Sequence, residues 1–190
     1  MARLFTGIEI PPELQDRIAM LRAPLPGVRW IDAEDLHLTL RFAGDIDNRT
    51  ADELADRLAA IDISTFEMRL SGLGAFGGRD PRNLWVGVEA GPELEALARA
   101  NERAARAAGL PPETRQFKPH VTFARLRNSR DEVLARYLER NGAFRSEPFR
   151  VTRFVLFSSK PQVGGGPYVV EEAFPLRGAS LYDTHDAGVW

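Results

Sequence analysis

Short runs in which apolar and polar residues alternate are interleaved along this chain with stretches whose apolar residues recur every three to four positions. Alternation marks half-buried strands, and the longer period marks amphipathic helices. On this pattern residues 3–10 form a strand, and Pro11-Pro12 opens a helix with Leu14, Ile18 and Leu21 on one stripe. Pro24, Pro26 and Gly27 end that helix. Residues 36–42 form a second strand, Gly44 to Asn48 a turn, and residues 51–61 a helix striped by Leu54, Leu58 and Ile61. A strand at 66–73 follows, and Gly72 to Pro81 carries enough glycine and proline to connect two halves.

Beyond the connector the order repeats. The pattern gives a strand at 84–90, a helix at 92–108, a strand at 119–126, a helix at 131–140 and a strand at 149–158. A Gly164-Gly165-Gly166-Pro167 loop leads to a last strand near 168–176, and the residues from 178 onward lack periodicity. The repetition extends to residue types, since Arg3 to Leu14 aligns with Asn83 to Leu94 at a constant offset of 80, with Leu, Gly, Glu and Pro coinciding. Helix starts recur too: Thr50 to Glu53 and Ser129 to Glu132 both read as capping boxes. A long period present only twice points to a duplicated half-domain. The expected fold is α+β: one bilobal, pseudo-two-fold domain over 1–178, with antiparallel sheets lining a central cleft and helices outside. Its halves span about 1–78 and 79–178, strands being free to exchange between lobes, and 179–190 form a tail.

Within this frame one pattern carries chemistry. His37-Leu38-Thr39-Leu40 and His120-Val121-Thr122-Phe123 are two copies of His-x-Thr followed by an apolar residue, each in a predicted strand. A side-chain period of two puts His37 and Thr39 on one face and Leu36, Leu38, Leu40 and Phe42 on the other. Two lobes about a pseudo-two-fold would bring both polar pairs to one cleft. Paired imidazoles suit a reaction that removes one proton and donates another near neutral pH. The threonine hydroxyls suit the non-bridging oxygens of a phosphodiester. The arrangement predicts in-line displacement at phosphorus between the histidines, with no metal and no cofactor.

Composition narrows the alternatives. The 190 residues include no cysteine, which removes disulfides, thiolate nucleophiles and cysteine-ligated metals. No apolar run reaches the length of a membrane helix and no basic, apolar leader precedes the first strand, so a cytoplasmic, membrane-free protein is expected. Net charge is −2, so any polyanion must meet a local patch. Of 25 basic residues only Lys118 and Lys160 are lysine, and neither lies in the setting of a nucleotidyl-transferring ligase. No Gly-rich loop of the P-loop type is present.

These residues resemble the two-histidine phosphoesterase superfamily, specifically the RNA 2′,3′-cyclic phosphodiesterases also called RNA 2′-5′ ligases. The likeness runs from Arg3-Leu4-Phe5 through Leu36 to Phe42 and Phe117 to Arg125, and on to Phe174-Pro175-Leu176. It implies that His37 protonates the departing ribose oxygen, that His120 activates water, and that the product carries a 2′-phosphomonoester. It also implies joining of RNA ends through a 2′-5′ bond in reverse. Where the family places a small or aliphatic residue, this chain has Phe123, which its parity points into the core. Arg125 matches a family arginine, but strict alternation puts it on the Phe123 face, so a bulge near Ala124 is needed to turn it into the cleft. Arg41 has favourable parity relative to His37 for a phosphate contact. Phe5 and Trp85, in matched repeat positions, are candidates to stack a base.

Blander readings exist for each feature. A lone histidine in a strand is more often a hydrogen-bonded structural residue, and threonine is a good strand former; their joint recurrence in both halves argues for catalysis. A two-histidine metal site lacks a third ligand at workable spacing. Trp30 is ambiguous, and His185 falls in the tail. The reading is therefore a metal-independent hydrolase of RNA 2′,3′-cyclic phosphate ends or of small cyclic nucleotides, acting as a monomer. A non-catalytic module that binds RNA ends or nucleotides is the alternative.

Overall fold

The computed structural model describes residues 2–160 and 166–180. In chain order they form β1 (Ala2–Glu9), α1 (Pro12–Ala19), β2 (Val28–Trp30), a single 3-10 turn (Ala33–Asp35), β3 (His37–Ile46), α2 (Asn48–Ala59), β4 (Phe66–Phe76) and β5 (Asn83–Ala90). There follow α3 (Pro92–Ala107), β6 (His120–Leu126), α4 (Asp131–Asn141), β7 (Phe149–Val151), β8 (Arg153–Ser159) and β9 (Val169–Pro175). Residues 181–190 of the expected tail, with His185, and Gly164 and Gly165 of the expected loop lie outside the described residues.

All strand pairings between these elements are antiparallel, in one sheet of order β7-β4-β5-β6-β3-β1-β8-β9, with β2 beside β6. The first-half strand β4 lies among second-half strands, while β8 flanks β1 and carries β9 on its outer side. This exchange explains why the single strand expected at 149–158 is two strands broken at Thr152. Phe149 to Val151 pairs with β4, whereas Arg153 onward pairs with β9 and then β1, so the chain crosses from one half of the sheet to the other at that point.

The halves meet at β3 and β6 through one ladder pair, Leu38 opposite Val121. Past that pair β6 is taken over by β2, which pairs Val28 to Trp30 with Leu126 to Ala124. β3 and β6 therefore part beyond it, with β2 beside the far end of β6. The three-residue β2 is too short to leave a periodic signal and was not expected from the sequence. β3 and β4 also run further than expected, to Ile46 and Phe76, which shrinks the connector.

One face of the sheet carries the helices and a core that draws on both halves, including Leu38 and Leu70 from the first and Leu84, Val86 and Val121 from the second. α3 supplies Leu94, Leu97, Ala98, Ala104 and Ala105 to it. Each such leucine or valine contributes about 1.5–3 kcal/mol on leaving water. A second small cluster, Phe5, Val155 and Phe157 with Tyr168 against it, is separate from that core. Neither expected capping box forms. Asp47 caps α2 by accepting Thr50 N–H at 2.8 Å, and Ser129 Oγ instead donates to the Pro26 carbonyl. Asp47 stands at the N-cap position, whereas Thr50 lies inside the first turn as the donor of one of the free amides, so the cap falls to the aspartate.

Candidate active site

His37 and Thr39 stand near the start of β3, His120 and Thr122 at the start of β6. Because Leu38 pairs with Val121, continuing the antiparallel register one residue each way sets His37 opposite Thr122 and Thr39 opposite His120. The buried Leu38 and Val121 face the core at 0 % exposure, so the four polar residues between and beside them face away from it. His37 and His120 are thus diagonal neighbours across the Leu38–Val121 pair, a relation that spaces residues by about 7–8 Å in a regular ladder.

The two rings are held in the same way. His37 Nδ1–H donates to the carbonyl of Asp35 at 2.8 Å, and His120 Nδ1–H donates to the carbonyl of Lys118 at 2.5 Å, each acceptor two residues upstream. A carbonyl can only accept, so in the neutral rings the proton sits on Nδ1 and the lone pair on Nε2. His37 Nε2 accepts the Thr39 hydroxyl at 3.1 Å. His120 Nε2 has no hydrogen-bond partner among the described residues.

Aromatic rings wall both imidazoles. Phe5 lies 4.8 Å from His37, with Tyr168 edge-on at 5.1 Å and Phe157 at 5.4 Å; Phe76 meets His120 edge-on at 4.8 Å and Trp85 lies at 6.3 Å. Trp85 comes so close to β4 that a Cβ on Gly74 would fall 2.2 Å from its ring. Burial holds both histidines below the ordinary imidazole value. At His37 the Asp35 carbonyl and carboxylate push back upward, while His120 and Arg125 add to the lowering; at His120 only the Lys118 carbonyl pushes back.

Bulges decide where the remaining expected residues point. On β6 the register against β5 slips between Thr122 and Ala124, leaving Phe123 unpaired. Phe123 and Ala124 are both buried, and the exposed Arg125 is turned to the side of His120 and Thr122. The bulge demanded by the sequence is thus present. On β3 the equivalent residue, Leu40, is unpaired against β1. There the consequence reverses the expectation for Arg41, which is turned toward the helices. Its Nε donates to Glu102 of α3 at 2.5 Å and its other nitrogens to the carbonyls of Phe42 and Pro111. Arg41 is a structural tie, not a phosphate contact. Phe42, expected in the core, is 38 % exposed opposite Phe5, with the Arg3 guanidinium 5.1 Å above its ring.

Phe5 is corrected as well. At 4 % exposure, packed against His37, Phe157 and Tyr168, its ring has no free face for a base and serves to seat the imidazole. The repeat offset shifts too, because Glu9 lies opposite His37 whereas Gly87 lies opposite His120, so β1 and β5 are related through 78 residues in space. A two-residue slide preserves parity and leaves the facing pattern intact.

Sequence reasoning missed Asp35, Tyr168, Phe157 and Phe76. Asp35 works through two groups: its carbonyl fixes His37, and its carboxylate accepts Tyr168 N–H at 3.0 Å. Backbone acceptors leave no residue-type signal, and Phe76 sat in what read as a connector. Among the described residues no group of three or more His, Asp or Glu is placed to hold a metal ion, and no helix is long and apolar enough to cross a membrane.

Comparison with known proteins agrees with this architecture. An RNA 2′,3′-cyclic phosphodiesterase of Aeropyrum pernix is 40% identical over 120 residues, 62% of this chain and 66% of that protein. One of Aquifex aeolicus is 32% identical over 155 residues, covering 79% of this chain and 82% of that protein. The crystal structure of Escherichia coli LigT complexed with 3′-AMP superposes with a TM-score of 0.75 at 26% identity, over 93% of this chain and 98% of that one. The sequence profile of the 2′-5′ RNA ligase superfamily matches residues 10–162, from the end of β1 to beyond β8 and across both His-x-Thr strands, and the chain belongs to that superfamily.

Proposed function

We propose that this protein hydrolyses 2′,3′-cyclic phosphate ends of RNA to 2′-phosphomonoesters by acid–base catalysis between His37 and His120. The observation that carries the reading is the mirrored anchoring of the two rings, each Nδ1–H on the carbonyl two residues upstream, which leaves both Nε2 atoms as the working nitrogens. In the reaction His120 Nε2 takes a proton from water as the water oxygen bonds to phosphorus. The bond from phosphorus to the 3′-oxygen breaks in line, and His37, protonated at Nε2, delivers its proton to that oxygen. The neighbouring Asp35 carboxylate favours imidazolium at His37, whereas no carboxylate acts on His120. Burial, His120 and Arg125 oppose that charge, so the assignment of His37 as donor and His120 as acceptor rests on the family resemblance, with the Asp35 carboxylate working in its favour. Thr39 and Thr122 donate to the non-bridging oxygens, where charge grows in the transition state. The relatives, RNA 2′,3′-cyclic phosphodiesterases by name, support the same substrate.

The chemistry also runs with an RNA 5′-hydroxyl in place of water. His120 then deprotonates that hydroxyl, and the product is a 2′-5′ phosphodiester. The reading takes the described chain as one catalytic unit of two lobes, with residues beyond 180 outside it.

His37→Gln and His120→Gln are each expected to lower kcat/KM on a cyclic-ended oligonucleotide by about 10²–10⁴-fold in the presence of chelator, while still unfolding cooperatively at neutral pH. Near-normal turnover in either folded variant would exclude the assignment. A folded wild type that binds cyclic-ended RNA without hydrolysing it would instead favour the non-catalytic end-binding module.

A further inference from the structure

Arg29 of β2 and Arg125 of β6 are direct cross-strand partners. Two like charges in that relation repel, at a cost that sheets ordinarily avoid. Val28 and Trp30 on either side of Arg29 turn to the core, as do Ala124 and Leu126 beside Arg125, so both guanidiniums stand together on the cleft face. Neither has an ion-pair or hydrogen-bond partner among the described residues. They line a cavity of about 130 Å³ with Gly166 and Tyr168, the latter edge-on to His37. Two carboxylates, Asp32 and Asp35, border the same cavity. Asp35 is 8 % exposed and accepts Tyr168 N–H, and neither carboxylate lies within ion-pair reach of the arginines among the described residues.

Arg125 follows Thr122 by three residues on a bulged strand, roughly 10 Å of extended chain. The next charged group of a cyclic-ended RNA beyond its reacting phosphorus is the 5′-phosphate of the same terminal ribose. We infer that Arg29 and Arg125 form a clamp for that 5′-phosphate, and that the clamp selects RNA ends over 5′-hydroxyl cyclic mononucleotides. Guanidinium forks suit two-point contact with phosphate oxygens, and a bound dianion or diester removes the repulsion between the paired arginines. Arg29 is a specificity residue in this scheme: it touches no reacting atom. The inference rests on the proposed hydrolysis.

Three substrates separate the parts: a nucleoside 2′,3′-cyclic phosphate with a free 5′-hydroxyl, the same compound with a 5′-phosphate, and a dinucleotide ending in the cyclic phosphate. Wild type is expected to favour the last two in kcat/KM by about ten- to hundredfold. Arg29→Gln should lose that preference while keeping its rate on the 5′-hydroxyl compound, Arg29→Lys should keep part of it, and the salt dependence on the dinucleotide should flatten by about one unit of slope. Thermal unfolding of each variant reports folding. A preference retained in Arg29→Gln, or equal losses on all three substrates, overturns the clamp. No hydrolysis of any substrate by wild type overturns the proposed function instead.

Discussion

At the residue scale the two imidazoles are defined by the upstream carbonyls and by burial. Because burial depresses both, the free enzyme exchanges its essential protons below the usual imidazole value. A bell-shaped profile of kcat/KM is therefore expected, with both limbs below about pH 6.5. In kcat the limbs should move upward, because a bound phosphate anion favours imidazolium. A rate that climbs steadily through alkaline pH would rule out paired imidazole catalysis. The same depression has a stability consequence whose sign is fixed. The unfolded chain takes up protons at its histidines before the folded one, so stability falls as pH drops through about 6.5 and the penalty is complete below the folded values. The His37→Gln variant should lose part of this acid sensitivity in a melting series. The motif residues themselves were legible in the sequence because two copies of His-x-Thr in alternating runs have no packing reason to recur. Asp35 was not, since what it offers His37 is a main-chain oxygen.

At the element scale the paired bulges do most to shape the cleft. Leu40 and Phe123 occupy the same place after each motif, and each reverses the facing of the residues beyond it. Arg125 gains the cleft by this, Arg41 loses it to Glu102, and Phe42 leaves the core. Alternation alone cannot predict such a reversal, because a bulge is set by how two strands twist against each other. The β1 strand stays close to β3 through Gly7, where an added Cβ would lie 2.6 Å from the Leu38 carbonyl oxygen and 3.2 Å from the Phe157 ring. Gly7→Ala must therefore push β1 off β3 or displace Phe157 from His37. A loss of about 1–3 kcal/mol, read as a lower denaturant midpoint, should accompany reduced kcat. An unchanged midpoint with full activity would mean that the strands tolerate the wider spacing.

At the scale of the whole molecule the exchange of β4 against β8 and β9 makes the two sequence halves inseparable. Residues 2–78 alone would leave β4 without β5 and β7, and residues 79–180 alone would leave β8 without β1. Their apolar faces share one core, so neither half has a core of its own. Each half-chain expressed by itself should lack a cooperative melting transition and dispersed amide signals, whereas mixing them should restore both together with activity. A half-chain that melts cooperatively would show that the lobes are independent units. The duplicated pattern, the helix stripes and the facing of His37, Thr39, His120 and Thr122 were determined by sequence alone, because side-chain periodicity is a local property of the backbone. Tertiary structure decided the rest: the crossing at Thr152, the slide between β1 and β5, the bulges, and the placement of Arg29 beside Arg125. Each of these is a choice of partner between distant strands, and such choices depend on twist and shared burial that no single segment contains.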